Sequence, residues 1–476
     1  MNITQKPHKQ LLPTGSDIIF VVQDNTVVLN VKGKYVAEVY IGTDAATLTA
    51  GNPTCILKVN PNSTGVGIFD FGTIFDNYVS PDYEGGQYLS TSSNYSSQYN
   101  QVDYSSDNPH SIHQIDDFCT SKKSVRYFQL SFYTEYASSY TEPVEEDKSI
   151  QTDSGKFIIF NGYLDYSDVL QQLNLGYNYN FSDFNWVSVD SSSKFLTYSP
   201  VKQYVRENDY ATVAFFNNLS TANSGFPIAL SGIHHCIYDF RFSFYDSDDL
   251  LLNTVIQMQS GNKGGYFGSQ LDSYTHIVFG GVGPANLTNN SVSLPAGWAY
   301  YEVWGRDANN NQITQKYEYH KQTDDCKGYE TIRLTWLNKW GVWDYYNFTK
   351  KSIRKINKKP VHYHQIEGIW SEEIYQIRGY KGGKRVLNNA ASEEITINTD
   401  YITEGESLWL EQLFVSSDVY ILQVDDDADS SGTIRKFLDP VIIKSTSYIR
   451  KTTANDQLIQ YSIDLEKSRS KRTHKG

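Results

Sequence analysis

The run from Tyr329 to Phe348 leaves the backbone the fewest choices, because it carries the densest set of large side chains in the sequence. Ile332, Leu334 and Trp336 alternate with Arg333 and Thr335, the two-residue period of a strand that buries one face. Asn338 and Gly341 tolerate the backbone angles of a tight turn. Leu337 to Gly341 is therefore expected to form a hairpin tip that returns through Val342, Trp343, Tyr345 and Phe348. Asp344 has no second carboxylate close by in sequence, and no Ser, His or Cys nucleophile adjoins it. The run predicts a β corner with an aromatic core, and Trp340 and Trp343 are its candidate contact residues.

The same bias extends over the whole chain, which has 37 Tyr, 23 Phe and 8 Trp against 2 Met. Aromatic and β-branched residues favour strands, and the Ser, Asn, Asp and Gly between them favour turns. The expected fold class is mainly β, with tandem β-sandwich domains, long loops and a small α+β C-terminal region. A length of 476 residues exceeds what one hydrophobic core serves, so several domains are expected. The net charge of −13 disfavours a primary nucleic-acid binder, although local basic patches leave DNA contact open.

Residues 1–150 read as an N-terminal β-sandwich. Its expected strands are 17–22, 26–31 (returning from a turn at Asp24-Asn25), 35–41, 55–59, 66–71 and 125–136. The polar segment 78–117 reads as an exposed loop or arm, and Tyr83, Tyr88, Tyr95, Tyr99 and Tyr104 are its candidate interface residues. The charged interval Glu142–Asp153 marks an expected boundary to a second β-rich domain, 151–350. Lys350–Lys359 reads as a solvated linker into a C-terminal region, 351–476. That region carries one expected helix, Glu404–Leu413, with a capping box opened by Thr403 and an apolar face of Leu408, Leu410 and Leu413. Two strands, 441–444 and 458–465, and a mobile basic tail, 467–475, complete it.

Three segments, in order, resemble one protein class. They are Gln5, Pro7, Leu11-Leu12-Pro13, Gly15 and Asp17-Ile18-Ile19-Phe20 with Lys34 to Val39; then Trp336-Leu337-Asn338, Gly341 and Asp344, with Val342 where the class has a second Gly; then Trp409-Leu410, Leu413, Ser417 and Val419-Tyr420-Ile421. The class is the minor tail proteins, of hub or ring type, of tailed phages infecting Bacteroidota, including crAss-like phages. The resemblance implies a non-enzymatic virion component that forms a ring-type homo-oligomer and meets other tail or portal-proximal proteins. Its expected location is the virion tail, and the host cytoplasm during assembly. The alternative is a receptor- or glycan-binding fibre or spike component, in which Trp298, Trp304 or Trp370 would stack on sugars.

Candidate chemistry is sparse. Asp425-Asp426-Asp427-Ala428-Asp429 offers hard oxygen ligands, but Ser430 and Lys436 occupy the positions where an EF-hand needs Gly and Glu, so an acidic hairpin loop is expected. His234-His235 and His362/His364 lack a third ligand at typical spacing. Gly261–Gly265 lacks the ending of a phosphate loop. Cys55, Cys119, Cys236 and Cys326 form no CxxC pair and are expected as free thiols. No catalytic, cofactor or metal residue is nominated, and no apolar run is long enough for a spanning helix.

Overall fold

The computed structural model describes residues 1–7, 11–43, 45, 47–83, 111–115, 118–165, 168–172, 176–179, 191–217, 237, 239–258, 276–289, 292–307, 309–323, 328–369, 376–377, 382–422, 438–445, 447 and 459–471. The fold is mainly β: 52% of these residues lie in strands and 10% in helices. The chain divides into two compact units, Met1–Gln322 with Leu337–Asp344, and Thr323–Trp336 with Tyr345–Gly476.

The first unit opens with two sheets around one core. A five-stranded sheet runs Leu11–Pro13, Glu145–Phe160, Val125–Ala137, Val31–Gly42, Cys55–Val59, and a three-stranded sheet runs Asn2–Gln5, Ile19–Gln23, Val66–Asp70. Alternate residues of one strand leave on one face, so Phe128, Leu130 and Phe132 all point into the core with Tyr35, Ala37 and Val39. Phe20 of the smaller sheet packs edge-on against Phe157 at 5.4 Å and against Phe71 at 5.8 Å, a favourable geometry for ring quadrupoles.

Two expectations for this unit are corrected. Asn25–Leu29 is a short helix, where a returning strand was expected. Asp24 caps it, its carboxylate accepting from the Thr26 amide at 2.8 Å. The charged interval Glu142–Asp153 is not a boundary, since most of it lies within the continuous strand Glu145–Phe160. Its carboxylates face solvent while its backbone pairs with Val125–Ala137, so charge and strand are compatible there. The pairing is irregular near Gly155, whose φ is 84°, and the Ser154 hydroxyl accepts from the Leu130 amide at 2.9 Å.

Further along, a second five-stranded sheet runs Lys202–Val205, Tyr317–Lys321, Tyr300–Arg306, Asp239–Tyr245, Leu251–Met258. A three-stranded sheet joins Thr212–Asn217, His276–Gly281 and Phe118–Thr120. A buried bidentate pair, Arg306 Nε and Nη2 to the Asp239 carboxylate at 2.7 and 2.8 Å, ties neighbouring strands of the former. Both charges are hydrogen-bonded, the condition under which a buried pair is tolerated.

The second unit is built on a seven-stranded sheet. Its order is Trp343–Phe348, Ile332–Leu337, Val419–Leu422, Leu438–Ile443, Ser462–Lys467, Gly383–Asn398, Ile353–Gln365, with the hairpin tip Leu337–Asp344 belonging to the first unit. The helix Glu404–Val415 carries the expected capping box, Thr403 with Glu406. Its core face is Trp409, Leu410 and Leu413, whereas Leu408 is exposed. Trp409 meets Trp336 at 5.1 Å. The interval Lys350–Lys359 is not a linker, because Ile353–Gln365 pairs along its full length with Gly383–Asn398. The basic tail is held as far as Lys471, which bridges to Ala391 and pairs with Glu393 at 2.5 Å. Among the described residues no helix is long and apolar enough to cross a membrane.

Glu393 is buried and bonded by Lys471 first, with Arg354 at 3.2 Å adding to it, and these cations hold its carboxyl below the ordinary 4.5. A depressed folded-state value contributes stability that is present above 4.5 and lost as pH falls through the folded value. Glu393→Gln is expected to cost about 1–3 kcal/mol at neutral pH. Denaturant titrations at descending pH should show the gap to wild type closing below 4.5; a gap independent of pH contradicts the assignment.

Candidate interaction sites

The hairpin tip is folded by its own short polar residues. The Asn338 side-chain oxygen accepts from the amides of Trp340 at 2.9 Å and Val342 at 3.3 Å, and its Nδ2 donates to the Leu196 carbonyl at 2.9 Å. Gly341 takes φ of 73°, and a Cβ there would lie 1.5 Å from the Asn161 carbonyl oxygen. Only a residue with no side chain fits both the angle and the approach. The Tyr163 amide donates to the Lys339 carbonyl at 2.8 Å. Lys339 Nζ pairs with both Asp168 oxygens at 2.8 Å and lies over the Tyr198 ring. Thr197 donates to Asp344 at 2.7 Å, so this carboxylate serves the fold.

Trp340 and Trp343, expected as interface residues, are corrected by their burial, 0% and 3% exposed. Trp340 lies between Phe160 and Tyr198, stacked at 6.1 and 6.2 Å. Trp343 donates from Nε1 to the Asp82 carbonyl at 2.9 Å and meets His113 at 5.0 Å. Trp340 is covered by stacked rings and Trp343 is bonded at its nitrogen, and with both side chains buried neither presents a surface to a second molecule.

Of the candidate interface tyrosines of the 78–117 segment, Tyr83 is described. It is partly exposed, packs its ring 5.8 Å from Trp343, and accepts at its carbonyl from the Ile112 amide at 3.0 Å. Asp82 beside it accepts from the amides of Lys122, Lys123 and Ser124. The segment thus leaves and returns at adjoining, fixed points. Tyr88, Tyr95, Tyr99 and Tyr104 lie outside the described residues, as do Trp370, His234-His235, Gly261–Gly265, the acidic run 425–429, Cys236 and Cys326.

The sugar-stacking candidates Trp298 and Trp304 are buried. Lys321 covers the first ring at 5.3 Å, and Lys316 covers the second at 4.7 Å. A feature that sequence reading missed is a ladder of rings across one sheet: Tyr300 stacks on Tyr245 at 4.9 Å and on His320 at 4.7 Å, and Tyr204 adjoins His320 at 5.9 Å. Burial, and then the hydrogen bond donated to Asp249, push the Tyr300 hydroxyl up to about 12. Both faces of Tyr300 are covered by neighbouring rings, so the ladder stabilises cross-strand pairs and offers little flat surface. Its members sit on separate strands and become neighbours only through register, which no local pattern encodes.

Among the described residues no group of His, Cys, Asp or Glu is arranged to hold a metal ion. His362 and His364 are exposed on one strand. Cys55 and Cys119 are free thiols.

No protein-family model matches the chain, and no curated protein matches it. Among solved structures, trypsin-activated alpha-2-macroglobulin from Escherichia coli aligns over 89% of this chain and 30% of that longer one, at 8% identity and a TM-score of 0.12. A likeness at that level carries no argument about fold or activity.

Gly341→Ala is expected to lower stability by roughly 3 kcal/mol or more, since it forces both a strained angle and a backbone collision. Trp343→Phe should lose about 1 kcal/mol with the Asp82 bond. Thermal unfolding of the two variants separates the effects, and a Gly341→Ala chain as stable as wild type would contradict the tip geometry.

Proposed function

We propose that this chain is a non-enzymatic structural subunit of a phage virion, of tail hub, ring or adaptor type, working as a symmetric homo-oligomer of tandem β-sandwich domains. Its work is burial of surface between copies and against neighbouring tail proteins, with no bond made or broken. The observation that supports this best is the strand Leu251–Met258, which ends its sheet with a neighbour on one side only among the described residues. Leu251, Leu252 and Ile256 are exposed on it, Leu251 by 52%, and Leu250 just before it is exposed as well. A solitary protein blunts such an edge with charge or covers it, because unpaired backbone beside apolar side chains recruits another chain. An assembly subunit keeps it for its neighbour. The phage assignment itself draws on the three ordered sequence resemblances.

Rings close when one surface of a copy fits a different surface of the next. Light scattering of the purified full chain is expected to give a discrete oligomer, and negative-stain images a closed ring. Leu251→Asp should shift the mass toward the monomer with the melting temperature within a few degrees of wild type. A monomer at every concentration that is also absent from virus particles would sink the reading. So would turnover of a polymer that disappears when one carboxylate is changed.

A further inference from the structure

The strands Ile353–Gln365 and Gly383–Asn398 form a two-stranded ribbon running for about 40 Å at the usual rise per residue. At its base it is part of the seven-stranded sheet, since Ser462–Lys467 pairs with Glu394–Asn398. Beyond Glu393 toward the far end only the bridge to Lys471 flanks it among the described residues. Both faces there meet solvent, and Ile356, Val361, Tyr363, Val386 and Leu387 are exposed, Val361 by 53%. Two strands with apolar groups on open faces are marginal in water unless something covers them.

The charge of this far portion says what kind of cover fits. Residues 356–366 and 382–392 contain Lys358, Lys359, Lys384 and Arg385 and no Asp or Glu, a net +4 in a chain of net −13. Lys358, Lys359 and Lys384 have no ion-pair partner among the described residues, whereas Arg354 and Lys355 at the base pair with Glu393 and Glu394. The opposite sign is collected on the strand Glu145–Phe160. From Tyr140 to Asp153, Glu142, Glu145, Glu146, Asp147 and Asp153 stand against Lys148 alone, a net −4. Glu142, Glu145, Glu146 and Asp153 are exposed with Tyr140 and Val144, and no described strand pairs with the outer edge between Glu145 and Gln151.

We propose that the basic ribbon docks on the acidic 140–153 edge of a second copy of this chain, through lysine–carboxylate pairs and the apolar residues between them. The inference rests on the assembly reading above and names one of its contacts. Like-charged edges repel, so ribbon does not meet ribbon, and a heterologous contact between two different surfaces follows. A phosphate backbone would match the lysines but leave the five apolar side chains uncovered, which favours a protein partner.

The test is self-association of the full chain followed by light scattering and sedimentation. Lys358→Glu with Lys359→Glu is expected to raise the dissociation constant about tenfold or more. Adding Glu145→Lys and Glu146→Lys to the same chain should restore association, and Val386→Asn should weaken it without changing its salt dependence. All are exposed positions, and circular dichroism verifies the fold. If wild type associates and the lysine variant associates equally, the ribbon proposal falls while the assembly reading stands. Dissociation without rescue by the paired reversal removes the acidic edge as the partner. A lysine variant that loses binding to a double-stranded DNA probe while self-association is unchanged overturns the proposal in favour of nucleic acid. A wild-type chain that never associates, in solution or in particles, overturns both.

Discussion

Gly341 lies so close to the Asn161 carbonyl that no Cβ fits between them, and much of the local order depends on that approach being possible. With the tip turned there, Lys339, Asn338 and Asp344 meet residues 163, 168, 196 and 197, and Trp343 reaches Asp82. Each bond contributes on the order of 1 kcal/mol net. Together they bring segments far apart in sequence to one short turn, and the rings of Trp340, Phe160 and Tyr198 fill the space between. The polar residues of the tip fix register, and the aromatic residues supply the apolar burial that makes the register worth holding.

Charge is used in two ways. Arg306 with Asp239 is sequestered and bonded, so removing one partner strands the other, and Glu393 is a buried carboxylate held by the more exposed Lys471 and Arg354. Elsewhere charge lies on strand edges that no described strand pairs, where charged side chains generally oppose unwanted edge-to-edge pairing. The strand Leu251–Met258 carries no charged side chain, and among the described residues it has a neighbour on one side only.

Much of the strand content is legible locally. Tyr35 to Ile41, Cys55 to Val59 and Val125 to Tyr136 show themselves by alternation, and Thr403 with Glu406 announces the long helix. Where charge is dense, local reading fails: Glu145–Asp153 and Ile353–Lys359 look like connectors because solvated side chains hide a backbone whose partner lies elsewhere in the chain. The Asn25–Leu29 helix is masked by two valines, although Asp24 before Thr26 is a capping signal. The burial of Trp340 and Trp343 has no local sign, since an exposed and a covered tryptophan look alike until Phe160, Tyr198 and His113 arrive from distant strands. Aromatic residues look like contact candidates in the sequence, whereas Trp340 and Trp343 are consumed by the fold.

The junction between Tyr83 and Ile112 has a consequence for the chain between them. The Ile112 amide donates to the Tyr83 carbonyl, so residues 83 and 112 are held side by side whatever length of chain joins them. Loop-closure entropy grows only logarithmically, so doubling the tethered length costs about 0.6 kcal/mol. Added length between these two residues therefore asks little of the paired positions that hold them.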